Sequence, residues 1–456
     1  LLSGQAFRSL RLPLASMRRT RAFLMAASSP APVRTTLDAI ATGTPGLRKP
    51  QDEAAAFMTQ IESLSERLRS RLPAVYRGSA IDARHSCIPD YGEDDPAAFD
   101  FFPATWTLEP APSTAERNAR YREAAVPLAE DVARRALRQS GVAAEEITHV
   151  IAVSCTGFFA PGLDVQIVKR LGLPPTTQRT LIGFMGCYAA FNALRVAHSF
   201  CQSHPNARVL LVCVELCTLH FQIEDTLESV VVNALFADGA AAAVLSARPE
   251  ADARGRLAYL GSRTVMDDDS EAAMTWTIGD TGFQMGLSSR VPDVIAQHLP
   301  GYTQALLADH GRAPDDVDAW AIHPGGRRIV ERAQDVLGLS AGDVATSLSV
   351  LRDYGNMSSP TILFVLQRLL GWDASAAAQA SREDASGNVL QTDAPHGGDG
   401  EAPAANDSQV NAPEANATLP DPLTETPSGP PPSTLVAMAF GPGLTIEGAL
   451  FGRVDA

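Results

Sequence analysis

The stretch RTLIGFMGCYAAFNALRVAHSF, residues 179–200, decides how this 456-residue chain is read. Leu181 to Phe184 form a short apolar run that predicts a buried strand, and Tyr188, Phe191, Leu194 and Val196 then recur at helical spacing. Gly183 and Gly186 bracket a sharp turn between the two. Cys187 therefore falls at the first turn of a buried helix, where unpaired N–H groups and the positive dipole end favour a thiolate. Such a cysteine can be a nucleophile, and it can equally be a small buried hydrophobe, as most free cysteines are.

Outward from this unit the pattern repeats. Upstream, ITHVIAVSCTG (147–157) reads as a strand entering a glycine-bounded loop, and GLDVQIVKRLG (162–172) as a helix. Downstream come a strand, ARVLLVCVEL, and an Ala/Gly-rich strand, ADGAAAAVLSA, whose small residues suit close packing. Nearer the N-terminus, residues 54–72 carry Phe57, Ile61, Leu64 and Leu68 at 3.6-residue spacing. They predict one amphipathic helix with Arg67, Arg69 and Arg71 at its basic end. A second helix is expected over 114–140. After a polar link near 248–256, a helix around 294–311 precedes a strand, DAWAIHPGG, and a helix, RRIVERAQDVLGL. The loop DYGNMSSP, a helix, TILFVLQRLLG, and two closing strands, TLVAMAFGPG and LTIEGALFGRV, complete the chain. This alternation implies an α/β fold with mainly parallel sheets. Strand–turn–helix units with a polar residue at the turn occur in both halves, which points to an internal duplication.

Composition bounds the function. With 45% hydrophobic and 20% charged residues the chain is globular, and long enough for two core-bearing units. Its six cysteines (Cys87, Cys155, Cys187, Cys201, Cys213 and Cys217) form no CxxC pair and follow no secretory leader. They read as reduced thiols in the cytoplasm rather than as disulfides or metal ligands. Residues 1–37 hold six arginines, five serines and no acid, the composition of an organellar transit peptide or a disordered leader, so a plastid or other organelle is the alternative location. Residues 373–433 lack Phe, Trp and Tyr and carry −9 of the net charge of −15. They are expected to be a disordered insertion between a helix and a strand. No basic stripe with interleaved aromatics suggests nucleic acid. No apolar run reaches the roughly 18 residues of a membrane span.

Three polar residues sit where strands end: Cys187, His323 in AIHPGG and Asn356 in YGNMSSP. Functional groups in α/β sheets gather beyond the carboxyl ends of strands, so the three can converge. A thiol beside an imidazole, with an amide donor aimed at a developing oxyanion, is a set for acyl transfer. Singly, His323 can be a satisfied core histidine and Asn356 a turn former.

GFMGCYAAFNALR, WAIHPGGRRIVE, LRDYGNMSSPTILFVL, NALFADGAAAAVL and AFGPGLTIEG together resemble the type III polyketide synthases, the chalcone synthase-like enzymes of the thiolase superfamily. The likeness runs from about residue 38 to the C-terminus, the insertion excepted, and CTGFFAPGLD and ELCTLHFQ are closer to bacterial and algal members than to plant ones. It implies a duplicated αβαβα layered fold whose halves are 38–250, carrying the nucleophile, and 251–456. It also implies a homodimer. Malonyl-CoA and acyl-CoA are the implied substrates, with no cofactor or metal, and the implied reaction is iterative decarboxylative condensation followed by cyclisation to a phloroglucinol-, resorcinol- or pyrone-type product. In that likeness Cys187 takes the starter acyl group, while His323 and Asn356 bind the thioester carbonyl and stabilise the enolate. Phe236 matches the first gatekeeper and Met285 the second, with Phe283 two residues earlier. Cys155, Thr156, Cys217, His220 and Ser358 match cavity-lining positions, and Gly441, Pro442 and Gly443 the glycine-rich cavity loop. Arg71 and Arg77 are the nearest matches to the coenzyme A phosphate contacts. Ala160 stands where plant enzymes carry a methionine that reaches a partner's cavity. A ketoacyl synthase III shares the Cys/His/Asn set and is the alternative. A papain-like hydrolase keeps the same residue order, but lacks its CGSCW-type context here.

Overall fold

The computed structural model describes residues 33–372 and 432–455. Along the first half run β1 (Val33–Gly43), β2 (Leu47–Pro50), β3 (Ala83–Ser86), β4 (His149–Ser154), β5 (Gln178–Gly183), β6 (Arg208–Leu216) and β7 (Asp238–Pro249). The second half supplies β8 (Leu257–Met266), β9 (Met274–Gly279), β10 (Gly282–Leu287), β11 (Ala319–Ile322), β12 (Thr434–Gly441) and β13 (Thr445–Arg453). Nine of these strands make one sheet in the order β11-β12-β13-β8-β1-β7-β6-β4-β5.

The order contains the same path twice. From the middle outward, β1 pairs antiparallel with β7, β7 antiparallel with β6, and β6 parallel with β4. On the other side β8 pairs antiparallel with β13, β13 antiparallel with β12, and β12 parallel with β11. The two first strands meet at the centre, Thr36 opposite Ala258. The duplication expected from sequence is therefore present, but only three of the eight strand pairings are parallel, so the sheet is mixed rather than mainly parallel. The difference comes from β1, β8 and β13, each antiparallel to both of its neighbours.

Two buried helices pack against one face of this sheet. The helix Ala189–Ser203 follows Cys187, and Thr361–Leu369 follows Asn356. Both belong to one apolar cluster with strand residues from each half, such as Ile151, Leu211, Ala437 and Phe451. A helix that is apolar nearly all round, as TILFVLQRL is, requires burial on every side. The outer faces are covered by Thr114–Ser140 over the first half and Val291–Ala308 over the second. The Ala240–Ala243 run of β7 alternates between the two faces, and without bulk there, helices approach on both sides. Thr114–Ser140 matches its expected span because its signals are complete: a Ser113/Glu116 capping box at the start and the left-handed Gly141 at the end.

Elsewhere the structure corrects the sequence reading. The expected helix over 54–72 is three pieces, Gln51–Gln60, Glu66–Arg69 and Leu72–Gly78, because Ile61 turns extended and Ser65 caps a new start on Leu68 N. The run Leu181–Phe184 is not a buried strand: β5 is the sheet edge, and Leu181 is 47% exposed. Apolar character there marks a face rather than an interior. The leader expected over 1–37 overlaps β1 from Val33 onward, and the rest of it lies outside the described residues, as does 373–431 of the insertion. Asp353 and Tyr354, taken as loop, end the helix Ala341–Tyr354. All six cysteines are free thiols, and among the described residues no helix is long and apolar enough to cross a membrane.

Candidate active site

Between β5 and the helix Ala189–Ser203 the chain turns through Phe184 (φ +57°) and Gly186 (φ +73°) into a short 3-10 turn, Gly186–Tyr188. A Cβ at Gly186 would lie 2.3 Å from Pro442 Cδ, and one at Gly441 2.7 Å from the Tyr188 ring. The loop Gly441–Gly443 therefore presses on the cysteine turn and requires glycine on both sides of the contact. Cys187 ends up 4% exposed. Burial pushes its thiol up to about 11, against hydrogen bonds from Ser358 and Asn356 that lower it. The thiolate expected from a helix N-terminus is thus not the resting form. The nearby Gly186 N–H is already donated to Cys155 Sγ at 3.1 Å, so less of the helix end is left for Cys187.

His323 follows β11, and its backbone N–H extends the strand ladder to Met438 O at 2.8 Å. The imidazole is buried, 1% exposed, and burial alone drives it down to about 3, so it is neutral. Neither ring nitrogen has a hydrogen-bond partner. Buried polar atoms are nearly always satisfied, so two orphan nitrogens on a residue that lines the same cavity as Cys187 indicate a place kept for a ligand atom. Asn356 is fixed from both sides: its Oδ1 accepts from Ser358 N at 2.8 Å and its Nδ2 donates to Gly325 O at 3.2 Å. That assignment leaves the second Nδ2 hydrogen for Cys187.

Cys187, His323 and Asn356 line one cavity of about 740 Å³. A second, of about 250 Å³, is lined by Cys187 with Cys155, Thr156, Cys217, His220, Ser358 and Pro442, and runs to Phe57 and Met58. Cys187, Glu228, Phe236 and Met285 belong to the walls of both, so these four side chains stand where the two cavities adjoin. Gly441 and Gly443 flank Pro442 without lining either cavity, and Phe283 does not line them either. It stacks on His220 at 4.1 Å and gives its N–H to His220 Nδ1 at 3.0 Å. With Nδ1 accepting, His220 Nε2 donates to Thr156 O at 2.7 Å, and burial holds this ring down at about 4. Arg71 and Arg77 are exposed and line neither cavity. Arg327 and Arg328, at the start of the helix Arg327–Leu337, do line the larger one, with Ser79 and Ser288. Sequence reasoning passed over them although they directly follow HPGG.

It also missed Glu215, wholly buried beneath the thiols. Its carboxylate accepts from Cys155 N at 2.8 Å, Thr156 Oγ1 at 2.8 Å and Ser359 Oγ at 2.7 Å. Burial outweighs those bonds and raises it from 4.5 to about 7. Between those two pH values the folded chain binds the proton that the unfolded chain has released, so stability declines with rising pH across that window and levels off above it. Glu215→Gln, which cannot titrate, is expected to lose less of its melting temperature between pH 5 and pH 8 than the unmodified protein. Parallel curves for the two would show that Glu215 is not raised.

The chalcone and stilbene synthase N-terminal domain model matches residues 26–249, and the corresponding C-terminal domain model matches 261–391. The chain is 34% identical over 428 residues to the alpha-pyrone synthesis polyketide synthase-like Pks18 of Mycobacterium tuberculosis, covering 92% of each. It is also 34% identical over 254 residues to the 1,3,6,8-tetrahydroxynaphthalene synthase of Streptomyces peucetius, 55% of this chain and 67% of that protein. The structure of PKS-I from the brown alga Ectocarpus siliculosus superposes with a TM-score of 0.76 at 32% identity, over 93% of this chain and all of that one. These likenesses favour the polyketide group over ketoacyl synthase III. The chain belongs to the chalcone and stilbene synthases and is a type III polyketide synthase, a carbon–carbon bond-forming acyltransferase.

Proposed function

We propose that the protein loads an acyl group from coenzyme A onto Cys187, extends it with malonyl-CoA and cyclises the chain. The observation that carries this is the meeting of two cavities at Cys187, one lined by His323 and Asn356 and the other reaching Phe57 and Met58. The thioester enters through the larger cavity, where Arg327 and Arg328 suit its phosphates better than Arg71 and Arg77, which line neither cavity. Cys187 gives its proton to His323 as sulfur attacks the thioester carbonyl, and coenzyme A leaves with a proton. A malonyl thioester then loses carbon dioxide. The electron pair of the broken C–C bond becomes an enolate whose oxygen receives hydrogen bonds from His323 and Asn356. Donors held rigid in a dry site are most effective on such developing charge. Attack of the enolate carbon on the acyl-cysteine forms the new bond and expels the thiolate. Thioester exchange and decarboxylation balance without redox chemistry, so the reaction calls for no cofactor. A homodimer is supported by the exposed apolar Leu181 on the edge strand β5.

For the starter we infer a fatty acyl chain, with malonyl-CoA alone as a second starter. The smaller cavity runs away from Cys187 between Cys155 and Cys217 toward Phe57 and Met58, and each methylene buried there contributes about 0.8 kcal/mol. Incubation with malonyl-CoA alone, and then with acyl-CoA starters of increasing length, followed by mass spectrometry of products, tests the reading. Substituting Trp at Cys155 or Cys217 is expected to shorten the longest accepted starter and to spare turnover of malonyl-CoA alone. If long-chain acyl-CoA is neither extended nor competes with malonyl-CoA in the unmodified enzyme, the chain-binding role of the smaller cavity is wrong.

A further inference from the structure

The helix Leu227–Leu235 ends by running straight into Phe236, and its last carbonyls need partners from elsewhere. Four in succession are accounted for. Arg84 Nη1 donates to Asn233 O and to Phe236 O, each at 2.7 Å, and Gln51 Nε2 to Ala234 O at 2.8 Å. The fourth, Leu235 O, accepts from the backbone N–H of Asn356 at 2.9 Å, and Ala237 N returns to Asn356 O at 2.9 Å. The wall residue Phe236 and the catalytic-site amide Asn356 are thus joined by a short backbone bridge.

Arg84 grips both sides of that bridge. Beyond its two carbonyl bonds, its Nε donates to Gln51 Oε1 at 2.9 Å, and the buried Gln51 is itself anchored on Ser79 Oγ at 3.0 Å. Its methylenes fill the space beside Gly355: a Cβ there would lie 2.9 Å from Arg84 Cγ, and the backbone is left-handed at φ +72°. Gly355 immediately precedes Asn356. These bonds end on uncharged oxygens, so here the guanidinium is used for its fork and for the favourable placement of a cation at a helix C-terminus, not as half of an ion pair.

We propose that Arg84, held by Gln51, is a positioning residue for the condensing step. It sets Phe236 between the two cavities and the Asn356 amide against Cys187. The inference rests on the proposed function and adds to it a division of labour: loading depends on Cys187 and its base, while decarboxylation and extension depend also on the Arg84-held bridge.

The test measures three quantities on Arg84→Lys, Arg84→Met and Gln51→Leu: acyl loading of Cys187 by intact mass, malonyl-CoA decarboxylation, and melting temperature. Small displacements of a positioned group cost about 10- to 100-fold in rate, so decarboxylation is expected to fall by that factor in Arg84→Met while loading changes by about twofold at most. Arg84→Lys keeps the charge and a nitrogen that can serve the two carbonyls but loses the Nε bond to Gln51, and is expected to lie between Met and the unmodified protein. Loading and decarboxylation falling together, in step with the folded fraction, would make Arg84 structural only and overturn the inference, as would unchanged decarboxylation. Should Arg84→Met fail to fold, Gln51→Leu decides by the same ratio. An unmodified protein that neither loads nor decarboxylates removes the proposed function itself, an outcome distinct from variants that behave alike.

Discussion

Cys187→Ala is expected to leave no acyl-enzyme detectable by intact mass and no polyketide product, with the fold retained. Among the described residues, Cys187 carries the one thiol shared by the cavity of His323 and Asn356 and the cavity of Cys155 and Cys217. Removing one sulfur atom from a residue that sits between Gly186 and Tyr188 costs on the order of 1 kcal/mol in packing, too little to unfold the domain. Loss of the covalent step is a loss of the reaction. Malonyl-CoA decarboxylation is the informative remainder: it needs His323 and Asn356 but no bond to sulfur, so it is expected to persist in part. A Cys187→Ala protein that still carries a labelled acyl group would place the nucleophile elsewhere, and the buried Cys155, whose Sγ accepts from Gly186 N, would be the first to examine.

Much of this site is legible in the sequence, and the reason is local. Cys187, His323 and Asn356 each sit at a turn whose glycines and prolines mark it, and the duplication repeats the strand–turn–helix unit, so their convergence follows once the fold is granted. What the sequence hides is what depends on distant partners. Glu215 looks like any charge at the end of VCVEL until Cys155, Thr156 and Ser359 are seen to surround it. Arg84 looks like a surface residue until the carbonyls of Asn233 and Phe236 come into view. The edge position of β5 and the antiparallel return of β8 and β13 are also non-local, set by which strand lies beside which. The thiolate expectation failed for a related reason: a dipole can be read from residue order, but the burial that opposes it cannot.

That opposition leads to the second large effect. Taken singly, Cys187 and His323 are both held neutral by burial, the thiol up at about 11 and the imidazole down at about 3. Charging either one alone in this setting is costly, whereas passing the proton from sulfur to imidazole creates two opposite charges whose attraction offsets much of the desolvation. In the proposed mechanism His323 is then both the base for Cys187 and a donor to the enolate. His323→Ala removes both roles. Iodoacetamide alkylation of Cys187 near pH 7 is expected to slow in this variant and to keep climbing toward pH 11, since only solvent can then take the proton. Condensation is expected to drop by about 10²- to 10⁴-fold, the usual worth of a positioned acid–base group. Asn356→Ala leaves the base in place, so alkylation is expected to change little while decarboxylation falls by about 10²- to 10³-fold, the cost of one oxyanion donor. The contrast between the two variants carries the argument. If alkylation near pH 7 is the same in His323→Ala as in the unmodified protein, His323 is not the base, and the proton must leave through the Ser358 side of the thiol instead.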